Sequence, residues 1–395
     1  MNRRAFLRSA GALGLARAAA GPLAAFGTAQ VAVAAAPAGA RYGKLLVLVE
    51  LKGGNDGLNT LVPYTDPAYY ALRPKIAIAR DQVIPLSDRA GLHPALASLL
   101  PIWKDGQLAV LQGVGYPEPN LSHFRSIEIW DTASRSEDYL QDGWLTRAFT
   151  MQPVPRSFAA DGVIVGSSDL GPLAGGGTRA IALADTEQFL RRAKLAQPGA
   201  AGGNKALTHI LKVESDIVQA ASHLEARTAF ETEFPAGGFG NAIKTACQII
   251  ANPSGVAAVR VTLSGFDTHA NQPGTQARLL AEVANGLQAL RSALNELGKW
   301  NDTTVLTYAE FGRRPKENQN NGTDHGTANV HFALGGRVAG GLYGASPDLT
   351  RLSGDGNPAY ALDFRGVYAT VLDRWWGVSS RDVLGGRFAP VSFLA

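Results

Sequence analysis

Six residues able to hold a metal ion fall just after apolar, strand-like runs: Asp56, Asp267, His269, Glu310, Asp324 and His325. Asp56 lies in "KGGNDG", Asp267 and His269 in "GFDTHANQ", Glu310 in "YAEFG", and Asp324 and His325 in "NGTDHGTANVHFALGG". Carboxylate oxygens mixed with neutral imidazoles suit zinc, manganese or iron; an all-oxygen calcium site has no need of histidine. The set holds enough ligands for one ion, or for two about 3.5–4 Å apart. Such a pair clamps a phosphate ester, one ion activating the attacking oxygen and the other steadying the leaving oxygen. Ser122, in "NLSHFRSIEIWDT", precedes a helical run over 123–132. A hydroxyl at a helix start sits among backbone N–H groups that favour an anion, and a neighbouring metal ion would lower its pKa and make it a nucleophile. The same position also suits an ordinary N-cap serine. His123 beside it is a candidate catalytic or substrate-contacting group. Asn55 and Arg313 are candidates for holding a substrate oxyanion, arginine doing so bidentately.

These residues need a frame that gathers distant segments. Leu45 to Glu50, apolar without a break up to Val49, carries the mark of a strand buried on both faces. Further strands are expected at 107–116, 161–168, 256–265, 303–312 and 330–336, with helices at 205–230, 238–251, 275–300 and 365–377, the last capped by Asp363. Strands alternating with helices predict an α/β fold with a mostly parallel sheet. In such sheets ligands bind beyond the carboxyl ends of the strands, which is where the six residues fall. The segment 195–205 is the one loose stretch, joining helical parts of a single domain. Trp375 and Trp376 are expected to pack, and so is Cys247.

The composition restricts the function classes. Of 395 residues, 46% are hydrophobic and 18% charged, enough for a large core. The net charge is +4 without a block of lysine or arginine, so no nucleic-acid partner is expected. One cysteine excludes a disulfide within the chain and a cysteine-based zinc cluster. Residues 1–40 read as an export signal, with a basic start, a small-apolar middle and an A-x-A site at Ala32-Val33-Ala34 or Ala38-Gly39-Ala40. Arg3-Arg4 before Ala5-Phe6-Leu7 resembles the twin-arginine type, which implies the twin-arginine translocase as a partner and a periplasmic or secreted product. Arg17, Pro22 and several glycines interrupt the apolar run, so no stable membrane span is expected. The mature chain, 41–395, is expected to be one domain.

The segments "LVLVELKGGNDGLNTLVPY", "NLSHF", "GFDTHANQ", "YAEFGRRPKENQNNGTDHGTANVHFALGGRVAGGLYG" and "DFRGVYATVLDRWWG" resemble the DUF1501 family of exported bacterial proteins. That family is usually placed in the alkaline phosphatase superfamily, with sulfatases and phosphomutases. The likeness covers about residues 43 to 378. It implies an alkaline phosphatase-like three-layer sandwich, with helices on both faces of the sheet, and a metal-dependent ester hydrolase acting on a small-molecule or polymer ester. Carried over by position, Asp56 would bind one ion, Ser122 would attack, and Asp267 and His269 would bind the second ion, although "DTH" leaves one residue between them where three are usual. Glu310 would replace an aspartate whose adjacent ligand is here Phe311, and His325 in "DHGT" would be the later histidine. A rival alignment makes Asp324-His325 the adjacent pair and His331 the later ligand. His331 lies within an apolar strand pattern, which favours the first. Neither Ser122 in "SHFRS" nor Cys247 in "CQIIA" meets the Cys/Ser-x-Pro-x-Arg motif of formylglycine sulfatases. The broken pair also motivates a different expectation, a non-catalytic periplasmic binding or assembly protein on the same fold.

Overall fold

The computed structural model describes residues 41–183 and 228–394. The proposed signal, the segment 195–205 and most of the helix expected at 205–230 lie outside the described residues. Fourteen strands are seen among those described: β1 (Leu45–Lys52), β2 (Leu61–Val62), β3 (Ile84–Pro85), β4 (Gly91–Leu92), β5 (Leu108–Gly115), β6 (Ala160–Val165), β7 (Ala180–Leu183), β8 (Val256–Ser264), β9 (Thr303–Tyr308), β10 (Gly312–Arg313), β11 (His325–Gly326), β12 (Asn329–Leu334), β13 (Gly341–Gly344) and β14 (Leu362–Asp363). The helices are α1 (Pro67–Leu72), α2 (Leu100–Lys104), α3 (His123–Thr132), α4 (Trp144–Met151), α5 (Gly238–Ala251), α6 (Gln272–Glu296), α7 (Phe364–Thr370) and α8 (Ser380–Leu384).

One large sheet runs in the order β13-β5-β12-β9-β1-β8-β6-β7, with β14 also paired to β5. Pairings are parallel throughout except at β12, which lies antiparallel between β5 and β9. The mostly parallel α/β fold expected from the sequence is the one observed. β1 shows why its sequence reads as an unbroken apolar run. Leu45, Val47, Val49 and Leu51 enter a core shared with α5 and α6, while Leu46 and Leu48 enter a second core shared with α3, α4 and α7. A strand that feeds two cores is apolar on both faces, as β1 is from Leu45 to Val49. Helices therefore cover both faces, a three-layer sandwich.

Element ends are set by local chemistry. Asp363 caps α7 by accepting the Arg365 N–H at 2.9 Å. The helix expected at 365–377 is α only to Thr370; a π-helical turn, Val371–Trp376, carries it to Gly377 at φ +73°. That turn seats Trp375 and Trp376, whose Nε1 groups donate to the carbonyls of Leu45 at 3.1 Å and Lys44 at 2.7 Å, so both are packing anchors. Cys247 is buried in α5, as expected, and burial pushes its thiol up to about 12. The strand expected at 303–312 divides: β9 stops at Tyr308, and a short hairpin of β10 with β11 pairs Arg313 with His325.

The second core contains a buried ion pair. Arg260 on β8 donates to Glu50 on β1 at 2.7 Å and to the Asp169 carbonyl at 2.7 Å, and Thr262 adds a bond to Glu50 at 2.8 Å. Both charged side chains are 1% exposed. Removing one partner strands the other charge in the interior. The substitution Arg260→Met is therefore expected to cost about 3–5 kcal/mol of stability, read from urea unfolding midpoints; a loss below about 1 kcal/mol would mean the pair is solvated.

A candidate metal centre of histidines around Asp267

The carboxyl ends of β5, β1, β8 and β9 bring five segments together. Two close approaches fix them. Gly53, just after β1, has φ +117°, and a Cβ there would lie 2.4 Å from the Asp267 backbone nitrogen. Gly322 presses on the His269 main chain, where a Cβ would come within 2.3 Å of the carbonyl carbon. Only glycine allows either contact. The start of α3 is tied to the end of β9, since the Ser126 hydroxyl bonds both the Glu310 carbonyl and the Tyr116 hydroxyl.

Three histidines meet at Asp267, and each has its Nδ1 held by an oxygen. His325 Nδ1 donates to the Leu121 carbonyl at 2.8 Å. His123 Nδ1 faces Glu310 Oε1 at 2.8 Å, and His269 Nδ1 faces Asp324 Oδ1 at 3.3 Å. A carbonyl or carboxylate can only accept, so in each neutral ring the proton sits on Nδ1 and Nε2 carries a lone pair. The three Nε2 atoms then converge on one carboxylate: His269 at 3.0 Å and His325 at 3.1 Å from Oδ1, and His123 at 3.3 Å from Oδ2. His269 Nε2 and His325 Nε2 are themselves 3.0 Å apart. Lone pairs facing one another so closely repel unless a cation lies among them.

The donor set fits a transition-metal ion. Tetrahedral zinc with ligands at about 2.0–2.1 Å sets ligand atoms about 3.3 Å apart, close to the spacings just given. Metal-binding imidazoles characteristically donate their other N–H to a carboxylate or carbonyl, as these do. Ligand atoms of His123, Asp267 and His325 lie within 4.8 Å of one another, and His269 Nε2 adds a fourth donor 3.0 Å from both Asp267 Oδ1 and His325 Nε2. Burial lowers the His325 pKa, which favours the neutral ring. Burial acts to raise the Asp267 pKa, but the hydrogen bond and charge of Arg313 outweigh it and hold the carboxyl down at about 2. The Asp267, His269 and His123 side chains are 45%, 44% and 35% exposed, so solvent and substrate can reach the centre.

Several sequence expectations change in role. Asp56 is fully buried, and its carboxylate accepts from Arg73 at 2.6 and 3.0 Å, from Gln272 and from the Leu58 N–H at 3.2 Å. With no exposure and both oxygens taken by Arg73, Asp56 offers no open ligand atom, whereas Asp267 keeps a half-exposed carboxylate. Asn55, also buried, bonds Thr60 and Gln276 and faces no solvent that a substrate could occupy. Arg313 is likewise buried, its N–H groups donating to the carbonyls of Gly53, Gly54, Phe266 and Thr323 and to Asp267 Oδ1 at 2.6 Å. It positions Asp267 instead of gripping substrate. Glu310 and Asp324 orient histidines; Glu310 also accepts the Gly53 N–H at 2.9 Å. His123, expected as a catalytic or substrate contact, joins the converging ring nitrogens. Arg73, the partner of Asp56, carries no local sequence signal, and neither does the Leu121 carbonyl.

Ser122 caps α3 by position without using its hydroxyl as a cap, and it is exposed. Its neighbours on both sides, the Leu121 carbonyl and the His123 ring, touch the cluster. His331 lies inside β12 against Trp130, with ring centroids 5.2 Å apart, and is fully buried, as its apolar setting implied.

The family model described as "Protein of unknown function (DUF1501)" matches residues 43–385, and the chain belongs to this family. Comparison with curated proteins gives no match. Among solved structures, the chain is similar to the lipoteichoic acid synthase LtaP from Listeria monocytogenes, with TM-score 0.39 and 10% identity over 87% of this chain and 76% of that one. It is also similar to the C-terminal periplasmic domain of EptC from Escherichia coli in complex with Zn, with TM-score 0.34 and 11% identity over 74% and 72%. An alkaline phosphatase from the Antarctic bacterium TAB5 overlaps with TM-score 0.31 and 12% identity over 76% and 94%. Overlaps this loose carry no argument about activity.

Burial holds the His331 pKa down at about 3, and among the described residues neither ring nitrogen has a hydrogen-bond partner. The unfolded chain takes up this proton near pH 6.5 and the folded chain only near 3. Stability therefore falls as pH drops through that window, by about 1.4 kcal/mol per unit. In His331→Leu the unfolding free energy should lose this part of its slope, measured by urea titration between pH 4.5 and 7.5. An unchanged slope would mean the ring is protonated when folded.

Proposed function

We propose that the chain is an exported hydrolase of a phosphate or related ester that depends on one divalent metal ion. The observation that carries this reading is the convergence of three outward-braced histidines on Asp267 at an exposed position. His123, His269, His325 and Asp267 would hold the ion, with zinc the best match and manganese or iron the alternatives. Bound there, the ion would act as a Lewis acid and favour an ionised attacking oxygen. Ser122 supplies that oxygen from the start of α3, Glu310, Asp324 and the Leu121 carbonyl fix the ring tautomers, and Arg313 aims the Asp267 carboxylate. Residues 1–40 act as a twin-arginine signal and 41–395 as the single mature domain. The alkaline phosphatase-like family resemblance points to the same chemistry.

A single ion fits better than two, because Asp56 is engaged by Arg73. This same feature, with Phe311 in place of a second adjacent ligand, supports a second reading in which the chain binds an ion and does not turn over. Metal analysis and kinetics separate the two. Protein stripped with chelator and reloaded should hold about one ion per chain and gain thermal stability; Asp267→Asn/His325→Ala should hold less than about a tenth of that. With p-nitrophenyl phosphate or its bis-ester as substrate, Ser122→Ala should lower kcat at least about 100-fold. One bound ion with no turnover on phosphate, phosphonate or sulfate esters would favour the binding protein. Full activity in metal-free protein would reject the metal-dependent hydrolase.

A further inference from the structure

Asp324 faces two environments. One of its oxygens meets His269, and its side chain also lines a cavity of about 500 Å³ whose other charged walls are Lys75, Arg314, Lys316 and Glu317. The carboxylates of this cavity are already engaged. Glu317 accepts the backbone N–H groups of Lys75 at 2.9 Å and Ile76 at 3.0 Å, and Asp324 accepts from His269 and from Asn318 at 3.3 Å. The cations are not. Among the described residues none of the three makes a direct ion pair, although burial acts to raise the Asp324 pKa and the Arg314 charge helps hold that carboxyl down. The buried Arg314 Nε has no hydrogen-bond partner. The Arg314 main chain is nonetheless fixed, donating to the Asp324 carbonyl at 2.9 Å and accepting from Arg73 at 3.0 Å. Its side chain thus reaches the cavity from a rigid hairpin whose preceding residue pairs with His325.

Unpaired cations around a cavity attract oxyanions, and a guanidinium with free N–H groups binds them with directional hydrogen bonds. We propose that this cavity is a subsite for a second anionic group of the substrate, a phosphate, sulfate or carboxylate, while the ester to be cleaved lies at the histidine cluster. The proposal rests on the hydrolase reading and narrows it to substrates with two negatively charged groups.

The test is the full-length metal-loaded protein against its Lys75→Gln/Arg314→Gln/Lys316→Gln variant. For a sugar bisphosphate, KM should rise at least about tenfold with kcat held within about twofold; for p-nitrophenyl phosphate, which has one anionic group, KM should stay within about threefold. Equal changes for both substrates, or none for either, would overturn the subsite. If neither of these nor any phosphonate or sulfate ester is turned over, the hydrolase reading fails and the cavity is judged by calorimetry with inorganic tripolyphosphate. The subsite stands if the triple variant weakens that binding at least about tenfold while His325→Ala does not. It falls if only His325→Ala weakens it, or if the wild type does not bind.

Discussion

The site depends on one buried guanidinium. Arg313 sits on a two-residue strand with no exposure, and its hydrogen bonds reach loops that follow β1 and β8 and the turn before β11. The Gly53, Gly54 and Thr323 carbonyls lean on this donor, a loss of the order of 1–3 kcal/mol apiece without it, while the Phe266 carbonyl also accepts from the Thr268 N–H at 2.8 Å. Arginine can serve them together because its five N–H groups lie in one plane with fixed directions; lysine has neither the number nor the geometry. The same side chain holds one Asp267 oxygen at 2.6 Å and so decides where the histidines converge. Loop closure and metal-site geometry are one interaction.

Around that centre the charged interior divides by role. Asp56 with Arg73, and Glu50 with Arg260, are enclosed pairs at 0–1% exposure that lock β1 and its exit loop. The histidine cluster is half-open and leaves its Nε2 atoms facing one another. Phe311 lies between these regimes: its ring packs on His325 at 4.4 Å and on His123 at 4.9 Å between centroids. A phenyl ring there restrains both imidazoles.

The sheet and both helical layers were legible because burial imposes period: alternate residues of β1 fill opposite cores, and the apolar spacing in α5 and α6 matches a helix turned to one side. His331 was readable as packed for the same reason. The site was half legible. Ligand-type residues after strand ends pointed to the correct edge, yet their roles depend on partners outside their own motifs, such as Arg73, 17 residues from Asp56, and Leu121, 204 residues from His325. Asp56 and Asp267 look alike in sequence; Arg73 encloses the first, whereas Arg313 steers the second and leaves it half-exposed. Arg313 looked like a substrate contact because nothing local reveals that four carbonyls surround it. The π-helical turn at Val371–Trp376 escaped notice because its side-chain spacing resembles that of an ordinary helix.

The histidine cluster draws on residues 121, 123, 267, 269, 310, 324 and 325, with contacts between positions as much as 204 apart in the chain. An ion held as proposed would find its full set of donors only when the central strands have docked and the Arg313 tie has closed, so its loading would follow folding. The identity of the captured ion would record whichever compartment the polypeptide occupied at the moment its tertiary structure was completed.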